Sequence, residues 1–182
     1  MLPHVEHQQW HGGRGEVALL VVKLLNDQAL TKAVPGEECP ARTLNAHCGC
    51  VEVRTEGVER TEELVDRGGD FVQIGPPGTR VLRGVHYVQT PSFRHGAAVL
   101  AVSRAFVGTE GGLHHAAAAL GVPAVVLFSE FISPDITGYA THRNIRHAGA
   151  TCGARIPCSS CRASMEAITV DEVEKHLKEI TA

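Results

Sequence analysis

Residues 106–128 read FVGTEGGLHHAAAALGVPAVVLF, and this segment limits the fold more than any other. Two uninterrupted apolar runs flank a Gly-Gly turn and an alanine-rich stretch of helical length. A strand that is apolar on both sides has to be covered on both faces, which is the condition of a parallel sheet. Ala105 to Val107 begins the first strand, the helix ends near Leu120, Gly121 and Pro123 punctuate, and Ala124–Phe128 forms the next strand. The unit is β-α-β, so its two strands run parallel.

The flanking sequence repeats this alternation. Glu59 to Arg67 predicts a short helix stopped by Gly68-Gly69. Residues 70–75 (DFVQIG) predict a buried strand, and 85–89 (VHYVQ) a second one after the GPPGT turn. Pro91-Ser92 opens a helix to about Ser103, with Ser92 as N-cap. A last helix begins at Thr169, where Thr-x-x-Glu to Glu172 has the form of a capping box. Strands alternating with helices predict an α/β fold, a Rossmann-like parallel sheet with helices on both faces.

Residues 1–58 lack such order. A helix over Glu16 to about Val34 is predicted from Val17, Leu20, Val21, Leu24 and Leu25, and breakers follow it. The chain therefore divides into a poorly patterned segment, 1–58, disordered or the remnant of a truncated domain, and an ordered domain, 59–182.

In open α/β sheets ligands bind beyond the carboxyl ends of the strands. The turn after Val107 lies at such an end. Backbone N–H groups at a helix N-terminus are unpaired and attract phosphate, and Gly111 and Gly112 carry no side chain to block an approaching anion. The candidate binding residues are Thr109, Glu110, Gly111, Gly112, Leu113 and His114. Glu110 repels phosphate, and suits ribose or sugar hydroxyls or the helix dipole. His114 and His115 are either structural donors or ligand contacts. Thr137-Gly138-Tyr139 and Arg94 are further candidates to reach this site, or are a turn and a solvated cation.

Net charge is −3 and the pI about 6.4, against nucleic-acid binding through a basic surface. The longest charge-free apolar stretch, Ala116 to Phe128, holds Gly121 and Pro123 and is too short for a membrane span. The N-terminus lacks the basic start of a signal peptide, so a cytoplasmic protein with reduced cysteines is expected. Cys39, Cys48 and Cys50 match no common metal spacing. His142, His147, Cys152, Cys158 and Cys161 include one Cys-x-x-Cys pair. Reduced thiols packing a loop are expected there in preference to a zinc knuckle, so no metal and no cofactor is assigned.

The segment TEGGLHHAAAALGVPAVVLF resembles the nucleotide-sugar site of family 9 glycosyltransferases, the heptosyltransferase-like family. Gly111, His114, the alanine run, Gly121, Pro123 and Phe128 carry the match. ELVDRGGDFVQIGPPG at 63–78, TPSFRHGAAVLAVSRAFVG at 90–108, and Cys152, Cys158 and Cys161 with MEAITVDEVEKHL extend it from about residue 60 onward. The pattern departs at Thr109, where the family has Asp, at Glu110, where it has Thr or Ser, and at Ser129, where it has Gly. The family's Lys-x-Trp element is absent. The resemblance implies the C-terminal, donor-binding half of a GT-B glycosyltransferase. It implies transfer of a sugar from a nucleotide-sugar donor to a glycan acceptor. The catalytic base is unassigned, and a partner domain or a second copy of the chain would complete the cleft. The alternative is a nucleotide-sugar-binding remnant or subunit without transferase activity.

Overall fold

The computed structural model describes residues 19–20, 55–147, 149, 151–152 and 158–182. The elements are β1 (Leu19–Leu20), α1 (Thr55–Asp66), β2 (Val72–Gly75), β3 (His86–Gln89), α2 (Phe93–Ala101), β4 (Phe106–Thr109), α3 (Gly112–Leu120), β5 (Ala124–Phe128), α4 (Pro134–Thr137), β6 (Arg143–Arg146), α5 (Ser159–Ala167) and α6 (Val170–Thr181). Cys39, Cys48, Cys50 and nearly all of the poorly patterned segment lie outside the described residues.

The strands form two three-stranded sheets, β1-β2-β3 and β4-β5-β6. Within the first, β2 and β3 are parallel, with Ile74 opposite Val88; in the second all strands are parallel, with Gly108 opposite Val126 and Ile145 opposite Leu127. The expected parallel α/β architecture is present.

One strand departs from it. Leu19 and Leu20 pair antiparallel with Gln73 and Val72, where the apolar spacing predicts a helix. β1 also runs beside β4, between the two sheets. Two residues are too few for a period of two to compete with the helical spacing of the leucines and valines around them.

The continuous apolar runs follow from burial on two faces. Phe106, Ala124, Val126 and Phe128 point into one core with Val99 and Leu100 of α2 and Leu113, Ala116 and Ala117 of α3. Val107, Val125 and Ile145 point into the other, against Leu64 and Val65 of α1 and Val170, Val173 and Leu177 of α6. Each aliphatic side chain fully removed from water contributes about 1.5–3 kcal/mol. Gly96 of α2 permits close helix packing, because a Cβ there would stand 3.0 Å from the Leu113 side chain. Gln73, fully buried between the layers, spends its amide on the Arg80 carbonyl and the Leu82 N–H at 2.8 Å each.

The caps follow the sequence in part. Gly68 and Gly121 adopt φ of 98° and 70°, the left-handed region that ends a helix. Thr169 Oγ1 accepts the Glu172 N–H at 3.2 Å, but the Glu172 carboxylate turns to His147 at 2.6 Å, so only half the capping box forms. Ser92 stands at the N-cap of α2 without capping by its side chain; its hydroxyl meets His95 Nδ1 at 2.7 Å. α4, β6 and α5 go beyond the elements predicted. Among the described residues no helix is long and apolar enough to cross a membrane.

Candidate functional site

The chain leaves the sheet at the carboxyl end of β4 and turns into α3. The Glu110 N–H donates to the Leu127 carbonyl at 3.0 Å, so the ladder extends one residue beyond Thr109 before the turn. Gly111 follows with φ 157° and ψ −168°, a conformation open essentially only to glycine. A Cβ on Gly111 would meet nothing within 4 Å. The backbone therefore requires glycine at 111, and the space around it stays open. Gly112, the first residue of α3, is exposed.

The six predicted residues come together here with different roles. Thr109, Glu110 and Gly111 are half-buried around the turn. The Leu113 side chain belongs to the core, leaving only its backbone for a ligand. His114 is fully buried. Its Nδ1 lies 3.1 Å from the Gly111 nitrogen and its Nε2 lies 2.8 Å from the Thr137 carbonyl. With a proton on Nε2 the ring donates to the Thr137 carbonyl, while Nδ1 faces both the N–H of Gly111 and, at 2.9 Å, its carbonyl. His114 thus ties the turn to the end of α4, and both ring nitrogens are engaged inside the protein.

An aromatic and histidine cluster surrounds it. The His114 ring centroid lies 4.0 Å from that of His115, 5.5 Å from Tyr139, 6.0 Å from Phe128 and 6.2 Å from His142. His115 Nδ1 meets the Tyr139 hydroxyl at 2.9 Å. Burial, and then the neighbouring His114, hold both His115 and His142 below the usual histidine range. His142 is 4% exposed, and neither ring nitrogen has a hydrogen-bond partner. The Val122 backbone beside it favours the charged form slightly, without a bond of normal geometry. The ligand atoms of Glu110, His114 and His115 lie within 4.8 Å of one another. With His114 spent on the backbone, the trio offers a cation two ligands, fewer than a metal site needs.

Thr137-Gly138-Tyr139 does reach this region. The Gly138 N–H donates to the Pro134 carbonyl at 2.8 Å, and a Cβ on Gly138 would sit 2.4 Å from that oxygen. Ser133-Pro134-Asp135 is the signal that marks α4, with Ser133 Oγ accepting the Asp135 N–H at 3.2 Å and proline in the first turn. Arg94 stays exposed in the first turn of α2.

Arg146, unremarkable in the sequence, is the cation of note. It ends β6 opposite Phe128, so both side chains project from the same face at the carboxyl end of the sheet. Its Nε and Nη2 are buried without a hydrogen-bond partner, as are Thr137 Oγ1 and Asn144 Oδ1 of the neighbouring segment. Buried guanidinium nitrogens with no acceptor are costly, and an anion would satisfy them.

The cysteines gather elsewhere. Cys158 is the N-cap of α5, Cys161 lies buried in its first turn, and Cys152 reaches them from the segment after β6. The backbone N–H of Cys161, followed by its thiol, pushes the Cys158 thiol down to about 7. His142 and His147 do not join them: His142 sits with His114, and His147 with Glu172.

The fold is α/β and GT-B-like, with parallel sheets flanked by helices. Among solved structures, the ADP-heptose LPS heptosyltransferase II of E. coli is similar to it, with a TM-score of 0.51 and 22% sequence identity over 69% of this chain. The chain spans 40% of the length of that enzyme. No protein-family model matches the chain, and no curated protein matches it.

Proposed function

We propose that this chain is the donor-binding part of a glycosyltransferase, transferring a sugar from a nucleotide-sugar donor to a glycan acceptor. The observation that carries this is the open turn at Gly111, at the carboxyl end of β4, in a fold similar to that of a heptosyltransferase. The nucleoside diphosphate would lie against the backbone N–H groups of Gly112 and Leu113. Negative charge develops on its phosphates as the glycosidic bond to the leaving group breaks, and preorganised N–H donors stabilise that charge. Arg146 would supply the positive charge, and Glu110 would accept from ribose or sugar hydroxyls. His114 holds the turn rather than donating to the ligand.

The acceptor-binding site and the activating base would come from outside the described residues, from a partner domain or a second copy of the chain. On this reading the protein acts in the cytoplasm, where its cysteines stay reduced.

Incubation of the purified chain with nucleotide-sugar donors, with and without glycan acceptors, tests this. Acceptor-dependent release of nucleoside diphosphate is the expected result. Binding of the donor without release makes the chain a binding module instead, and no binding of any donor overturns the proposal.

A further inference from the structure

We propose that Cys152, Cys158 and Cys161 form a three-thiolate site for a thiophilic divalent cation, zinc above all, which fastens the segment after β6 to the first turn of α5. The Cys-x-x-Cys spacing alone argues against a metal here, since it supplies two ligands; the fold supplies the third. The Cys152 sulfur lies 3.3 Å from that of Cys161, and the Cys158 sulfur 3.7 Å from the same atom. All three sulfurs fall within 4.8 Å of one another, and none is in a disulfide. A zinc ion at about 2.3 Å from each of two thiolates in tetrahedral geometry holds them roughly 3.8 Å apart. The two separations from Cys161, 3.3 and 3.7 Å, come within about 0.5 Å of that spacing.

Two independent parts of the backbone build it. The Cys152 N–H donates to the Glu130 carbonyl at 2.8 Å, which pins Cys152 beside the loop leaving β5. Cys158 and Cys161 are set three residues apart by α5, whose N-terminal turn presents both to the same side. Buried thiols packing as small apolar groups need no such convergence of sulfur on sulfur.

Charge and access agree with a cation. Three thiolates and one divalent ion carry a single net negative charge, which the N-terminal end of a helix favours. Cys152 and Cys158 are half-buried, so water can take the fourth position. Among the described residues no histidine or carboxylate joins the three.

The test uses the full chain with Cys39→Ser, Cys48→Ser and Cys50→Ser, which leaves these three as its only cysteines. The reduced protein is titrated with Co²⁺, a spectroscopic probe of the same geometry. One equivalent should produce tetrahedral d–d bands and a thiolate-to-cobalt charge-transfer band, which Zn²⁺ then abolishes by displacement. Cys152→Ser and Cys158→Ser should each remove the charge-transfer band while circular dichroism shows a folded chain. Absence of the band in the folded parent overturns the site by itself. A band that survives both serine variants also overturns it, by placing the cobalt elsewhere.

Discussion

The Nδ1 of His114 stands 3.1 Å from the backbone nitrogen of Gly111, within the turn where a ligand would bind. The ring thus consumes one of the orphan N–H groups at the start of α3, leaving those of Gly112 and Leu113 toward the open side. Replacing His114 by Ala would strand the Gly111 N–H and the Thr137 carbonyl and leave a cavity in a fully buried position. Each stranded group costs about 1–3 kcal/mol, so a loss on the order of 2–5 kcal/mol is expected. Chemical denaturation would measure it. A loss well below 1 kcal/mol would show that the ring is not what holds the turn.

Gly111, rather than Gly112, is where a side chain should do most harm. Its backbone conformation costs a non-glycine residue about 1–3 kcal/mol. Gly111→Val should therefore lower the melting temperature and weaken binding of nucleoside diphosphates by moving the N–H groups that follow. Gly112→Ala, at an exposed helical position, should change stability little. Melting curves and titration calorimetry on both variants check the order, and equal effects would mean that the backbone conformation at Gly111 does not govern the turn.

The parts of the fold legible in the sequence are those where burial dictates composition. Phe106-Val107 and Ala124–Phe128 face a core on each side, so polar residues are excluded and the runs stand out. Gly68, Gly121 and Thr169 mark helix ends for reasons of backbone geometry that one residue suffices to signal. β6 was opaque because only Ile145 in Arg143–Arg146 is buried, so the strand reads as a polar loop. α5 shows Cys161 and Ser164 to the interior, which carries no hydrophobic period. The turn from β4 into α3 is legible from Gly111 and Gly112. The role of His114 is not, because the partner of its Nε2 comes from Thr137, in an element the sequence hides. Arg146 was invisible for the same reason: on an unrecognised strand it reads as one more solvated cation.

The histidine cluster makes stability depend on pH. Burial and the neighbouring His114 lower the affinity of His142 and His115 for protons in the folded chain. In the unfolded chain both titrate near about 6.5. Below that pH the unfolded state binds more protons, so stability rises with pH and is lost as pH falls from about 6.5 through the lower native values. The melting temperature should fall steadily as pH is lowered from about 6.5 toward pH 5. His142→Phe, which removes one buried titrating ring from the cluster, should flatten that fall. An unchanged pH profile in the variant would exclude His142 as a source of it.

Arg146 yields two effects of opposite sign from one substitution. Its Nε and Nη2 are buried without partners, so without a ligand the guanidinium is a net burden on the folded chain. Arg146→Met keeps the aliphatic reach and removes the charge. Stability of the unliganded protein should rise, on the order of 1 kcal/mol, since an apolar side chain of similar volume replaces two buried guanidinium nitrogens without partners. If the burial is compensated when a diphosphate binds, the same variant should lose one or two charge-assisted hydrogen bonds, about 1.5–3 kcal/mol each. That corresponds to roughly tenfold to a hundredfold or more in affinity. Arg146→Lys should recover the charge without the planar fork, and so regain only part of the affinity. Melting of the unliganded proteins and calorimetry with uridine, adenosine and guanosine diphosphates measure the two effects separately. A stabilised Arg146→Met protein that binds as tightly as the parent would leave the guanidinium a structural burden with no part in the ligand site. A destabilised one would mean that Arg146 already has, in solution, the partner that its buried nitrogens require.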